Sequence, residues 1–139
     1  MSKVKFIDHT EEVKNLLAGL AMSSLEEAAG ELETQVKQNT KVVTSKTKNS
    51  WRHTVTKKGD VYEANVGSDY ENAIWEEFGT GEYALNGDGR KGGWFYVDEK
   101  GKGHFTRGKH PRRPFWNAYC TMKPKIIKYL QDKLKGGLV

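Results

Sequence analysis

From Thr10 to about Lys37 the apolar side chains Val13, Leu16, Leu17, Leu20, Ala21, Leu25, Ala28, Ala29, Leu32 and Val36 recur at steps of three and four residues, the spacing of one helix face. The pattern predicts a long amphipathic helix, roughly 40 Å from end to end at 1.5 Å of rise per residue. Thr10 or Asp8 can cap its start, and Glu11 and Glu12 fall in the first turn, where the helix dipole favours acids. After a polar, Thr- and Lys-rich connection from Asn39 to Ser50 the period changes to two. Trp51, His53 and Val55 alternate with Arg52, Thr54 and Thr56, and Lys57-Lys58-Gly59-Asp60 interrupts them before Val61, Tyr62, Ala64 and Val66 resume. Two strands joined by a short turn predict an antiparallel hairpin.

Tyr70 to Phe78 reads as a short helix with Asp69 as its cap, with Tyr70, Ala73, Ile74, Glu77 and Phe78 on one side and Gly79 as its stop. A strand follows at Trp94–Val97, then a polar turn from Asp98 to Gly103 and a returning strand at His104–Thr106. Pro111 and Pro114 frame the start of a last helix, whose apolar side carries Phe115, Ala118, Tyr119, Met122, Ile126, Ile127, Leu130 and Leu134. Pro124 inside that pattern predicts a kink or break near Met122. The order of elements is that of an α+β fold: a long N-terminal helix packed on a small antiparallel sheet, a short middle helix and a C-terminal helix. At 139 residues the chain (1–139) reads as a single domain. Most of its glycines lie between Gly79 and Gly108, so a flexible loop is expected over 79–93.

Composition narrows the function classes mainly by what is missing. Cys120 is the only cysteine, so no intramolecular disulfide can form and a reducing cytoplasm is the expected place of synthesis. The first residues, Met-Ser-Lys-Val-Lys-Phe-Ile-Asp, carry no apolar core of signal-peptide length, and no stretch approaches the roughly 18 apolar residues of a membrane span. Neither secretion by that route nor membrane insertion is expected. Gly87, Gly89 and Gly92 form a literal Gly-x-Gly-x-x-Gly, but no apolar strand precedes them and a strand rather than a helix follows, so no nucleotide cofactor is implied. His9, His53, His104 and His110 are scattered and miss zinc spacing. Glu76 and Glu77 are neighbours on a helix and diverge, which makes them a poor acid–base pair. No catalytic, metal or cofactor site is expected.

Charge is more informative in its distribution than in its formal total of +5. Asp69, Glu71, Glu76, Glu77 and Glu82 form an acidic block without a base, and Lys100, Lys102, Arg107, Lys109, Arg112 and Arg113 a basic arm (100–113) without an acid. The two blocks are complementary. One copy's arm can meet the next copy's acidic segment, head to tail, and such contacts close into rings. Glu71, Glu76 and Glu77 against Arg107, Lys109, Arg112 and Arg113 are the expected oligomer contacts. The arm, with Phe105 and two histidines, also admits nucleic-acid binding as an alternative.

The run Tyr70-Glu71-Asn72-Ala73-Ile74-Trp75-Glu76-Glu77-Phe78-Gly79-Thr80-Gly81 resembles the signature of the minor tail-component or head-tail joining (neck) proteins of tailed bacteriophages. In that family a short helix ends in Glu-Phe-Gly-Thr, here Glu77, Phe78, Gly79 and Thr80. Arg113-Pro114-Phe115, followed by Ala118, resembles the family's lead-in to its C-terminal helix. Family members commonly carry Pro-x-x-Thr-Gly before the first strand, where this chain has Thr44-Ser45-Lys46-Thr47-Lys48-Asn49-Ser50-Trp51. In the motif itself, Phe78 can anchor the short helix in the core, Gly79 can take a positive φ and Thr80 can bond its turn. Pro114 suits a first helical turn, with Phe115 as its buried partner. The resemblance implies a structural, non-enzymatic virion component made in the host cytoplasm. It would form a homo-oligomeric ring in the neck, between portal-side connector or adaptor proteins and tail-tube or tail-terminator proteins, with nonspecific DNA contact in the channel.

Overall fold

The computed structural model of the protein describes residues 8–41 and 45–137. The N-terminal stretch read above for a signal sequence lies outside them up to residue 7, as do residues 42–44 of the polar connection. The elements run α1 (Thr10–Asn39), α2 (Ser45–Asn49), β1 (Arg52–Lys58), β2 (Val61–Gly67), α3 (Glu71–Phe78), a 3₁₀ turn (Gly81–Tyr83), β3 (Trp94–Val97), β4 (Gly103–Thr106) and α4 (Pro114–Gly137). The fold is α+β, as the periodicities imply. Its strands, however, form two separate antiparallel hairpins, β1–β2 and β3–β4, and not one sheet. Within the polar connection, α2 is an added short helix.

Helix α1 lies along both α4 and the β1–β2 hairpin. Its buried strip is Ser24, Ala28, Leu32 and Val36 at four-residue steps, with Ala29 beside it. Small residues in that strip let the hairpin and α4 come close. Hairpin register opposes His53 to Val66 and Val55 to Ala64, so the alternate residues counted from the sequence do face α1. Of the expected apolar stripe only Val13 and Leu16, near the start of α1, are exposed, and the other residues are buried or half-buried.

The core gathers Leu32 and Val36 of α1, Trp51, Ala73 of α3 and Ala118 of α4, with Val66, Phe115, Met122 and Ile126 packed around them. Trp51 closes it at the end of α1. Its indole N–H donates to Thr40 Oγ1 (3.0 Å), and that hydroxyl donates to the Val36 carbonyl (2.7 Å). A ring stack with Phe115, centroids 6.1 Å apart, carries the contact to α4. Met122 and Ile126 bracket Pro124 and both pack on this core, which explains why α4 runs through the proline to Gly137 without the expected break.

His53 fastens β1 to α1. Its Nε2 lies 2.6 Å from Glu26 Oε1 and its Nδ1 2.8 Å from Glu33 Oε2. Only the imidazolium has an N–H to give on both sides. These hydrogen bonds, that to Glu26 first and that to Glu33 second, hold the imidazole above its ordinary value of 6.5. Lys37, 3.4 Å from Glu33, competes for one of the carboxylates. A pKa raised on folding stabilises fully below the unfolded value of 6.5, and that contribution is lost as pH rises through the folded value. A melting series across neutral pH should therefore show a decline that His53→Gln flattens. An unchanged slope in the variant would contradict the clamp.

Candidate functional site

Helix α3 is short, and its ends are set by its neighbours. At the start, Ser68 Oγ accepts the Tyr70 N–H (3.1 Å), the place expected of Asp69, and the N-cap residue is Tyr70, without a side-chain cap. At the end, Gly79 has φ 73° and its N–H returns to the Trp75 carbonyl (2.8 Å). A Cβ on Gly79 would lie 2.7 Å from the Lys109 carbonyl oxygen, so glycine here serves close approach as well as turning.

The residues α3 buries are Ala73, Glu76 and Glu77, and those it exposes include Ile74 (54%), Trp75 (46%) and Phe78 (42%). Its amphipathicity is inverted. The expectation that Phe78 anchors the helix in the core is corrected here, because that place is taken by a carboxylate. Glu77 Oε2 accepts the Phe115 N–H (2.8 Å) and Oε1 the Trp116 N–H (3.0 Å), so an acid far away in sequence caps the first turn of α4. Arg113 Nε stands 3.7 Å from the same carboxylate, and its guanidinium lies over the Trp116 ring.

Glu76 is the second anchor. Its Oε1 takes an ion pair and hydrogen bond from Lys109 Nζ, Arg112 Nε is 3.9 Å from Oε2, and its carbonyl accepts the N–H groups of both Arg112 (2.9 Å) and Arg113 (3.2 Å). Arg113 sits at φ 54° to make this turn, a conformation that costs a non-glycine residue about 1 kcal/mol or more. Glu76 Oε2 and Arg113 Nε are buried without a hydrogen bond. Thr80 exchanges backbone bonds with Lys109 and accepts its N–H again on Oγ1 (2.9 Å), and Glu82 N–H donates to the Arg107 carbonyl (2.9 Å). Pro114, buried, opens α4 as expected, with Phe115 half-buried behind it.

The complementary blocks therefore meet inside a single chain. Arg107 is 3.8 Å from Glu82, Lys109 and Arg112 face Glu76, and Arg113 faces Glu77. Glu71 takes no part and is exposed. The arm consequently offers a nucleic acid less free charge than its composition suggests. The Gly-rich loop is tied at its start, where Leu85 N–H donates to the Phe78 carbonyl (2.8 Å), and again where Gly92 N–H reaches Glu82 (3.2 Å).

Among the described residues there is no group of three or more His, Cys, Asp or Glu side chains that could hold a metal ion, and no helix long and apolar enough to cross a membrane. The joint fixes α3 to the start of α4. Residues 5–79, from before α1 to the end of α3, match the family described as "Bacteriophage HK97-gp10, putative tail-component". The chain belongs to that family. No curated protein and no solved structure matches it.

An HK97-gp10-like protein is a tail component, which places its work in the virion among other virion proteins. The matched stretch ends at Gly79, within Glu77-Phe78-Gly79-Thr80, and the partner of that motif, Arg113-Pro114-Phe115, lies beyond it. Reading the sequence missed that the two motifs are halves of one joint. The available signal was an acid pair among apolar residues and a matching pair of arginines just before a helix.

Proposed function

We propose that this chain is a structural, non-catalytic subunit of the phage neck, which forms a homo-oligomeric ring that completes the tail and joins it to the head. The observation that carries the reading is the inverted helix α3. Its carboxylates are used internally, and Ile74, Trp75 and Phe78 face solvent in a chain whose family is a tail component. Exposed apolar groups on a rigid helix mark an interaction surface. Of the charges assigned to contacts between copies, Glu71, Arg107, Lys109 and Arg112 keep exposed or half-exposed side chains that a neighbour can reach. Glu76, Glu77 and Arg113 hold the platform from within. The ring would meet portal-side connector or adaptor proteins on one side and tail-tube or tail-terminator proteins on the other, with nonspecific DNA contact in its channel. Synthesis takes place in the host cytoplasm.

Trp75→Asp tests the surface without touching the core. The variant is expected to fold, with a melting temperature lowered but the fold kept, since Trp75 is 46% exposed and stands outside the core cluster. Supplied to phage lacking this gene, it should leave heads and tails unjoined where the parent restores particles. Normal joining by Trp75→Asp would remove α3 from the account.

A further inference from the structure

The chain exposes apolar side chains on α3 and on the β3–β4 hairpin, where Phe95 stands opposite Phe105. Those of α3 carry a spacing. Glu71, Ile74, Trp75 and Phe78 are all exposed and fall at i, i+3, i+4 and i+7, one stripe down the helix with an acid at its head. Grooves read helices through anchors at this spacing. Elsewhere on the same chain, α1, β2 and α4 leave an apolar groove of about 440 Å³, with Ala28, Ala29 and Ala64 as small walls on one side and Tyr119, Lys123 and Ile127 on the other. Its lining runs from Leu25 to Leu32 along α1 and from Phe115 to Ile127 along α4, about 10 and about 18 Å at helical rise, and α3 is about 12 Å long. Lys123 is the charged residue of that lining, exposed, with its ammonium over the Tyr119 ring. The neighbouring acids of α1 are engaged away from it, Glu26 with His53 and Glu27 with Tyr129. Neither Lys123 nor Glu71 is in an ion pair among the described residues.

We infer that the groove receives helix α3 of a second copy of this chain, Ile74, Trp75 and Phe78 entering between α1 and α4 over the alanines and Glu71 meeting Lys123. Helix length, apolar stripe and an unpaired charge on each side agree in the same pairing. Ridge and groove are different patches of one chain, so the contact is head to tail and repeats around a ring. The inference names the neighbour of the α3 surface and rests on the ring reading only in that copies of this chain associate.

Exchange of the two charges tests the pairing at exposed positions outside the core cluster. Sedimentation of the full-length protein should show Glu71→Lys and Lys123→Glu each associating at least about tenfold more weakly than the parent, since each sets like charges face to face, with circular dichroism unchanged. A chain carrying both changes should associate like the parent. So should an equal mixture of the two single variants, in which every ridge finds a groove of opposite charge on the other variant. Single variants that associate like the parent, or a double variant as weak as the single ones, overturn the pairing. A parent that associates in those cases leaves the ring reading standing. A parent chain that is monomeric up to about 1 mM, the weak end of specific association, also overturns the pairing. None of these outcomes touches tail membership, which incorporation into particles decides separately.

Discussion

Glu77→Ala is expected to destabilise the protein by about 3–5 kcal/mol, the cost of breaking a buried charge pair by removing one partner. Three things are lost together: the caps on the Phe115 and Trp116 N–H groups, the counter-charge of Arg113, and the tie between α3 and α4. Glu77→Gln should fall between Ala and the parent, because an amide still accepts one N–H but presents a donor to the other. Exposed Glu71, six residues earlier on the same segment, supplies the control, with Glu71→Ala expected within about 0.5 kcal/mol of the parent. Chemical denaturation of the four proteins gives the comparison directly. If Glu77→Ala were no worse than Glu71→Ala, the acid would not be the joint's anchor.

Trp51→Ala should cost a similar amount, about 3–5 kcal/mol for an aromatic side chain removed from a core. That is a large part of the roughly 5–15 kcal/mol by which a domain is stable. The indole is buried, stacks on Phe115 and satisfies Thr40 at the end of α1. Trp51→Phe separates the two contributions. It keeps an aromatic body and loses the N–H bond, so about 1 kcal/mol of the loss should remain. Equal losses for Phe and Ala would mean that the hydrogen bond, and not the packing, closes this end of the core.

Local patterns reported local structure well. The three–four spacing from Thr10 onward and the alternation around Trp51 and Val61 produced α1 and the β1–β2 hairpin close to their observed limits, since each depends on residues a few positions apart. Helix α3 shows where such reasoning stops. Its pattern assigns Ile74 and Phe78 to the core because apolar faces normally turn inward, but what turned the helix over is a basic turn more than thirty residues later, Lys109 to Arg113, that neutralises Glu76 and Glu77. The complementarity of the two charge blocks was legible. Whether it would be satisfied within one copy or between two depends on the fold bringing α3 to the start of α4, which no spacing in the sequence reports. The path of α4 through Pro124 is a similar case, in which packing of the flanking turns outweighs the local effect of one proline.

The fold thus uses its conspicuous charges for internal support and presents apolar groups outward, on α3 and on the β3–β4 hairpin. That division of labour suits a subunit whose task is to be assembled. Density for the assembled phage particle, with this chain located by an attached label, tests the proposed role most directly. The account predicts several copies arranged in a ring at the head–tail junction, with the α3 surface covered by neighbouring protein. Complete, infectious particles that contain none of the chain would contradict it.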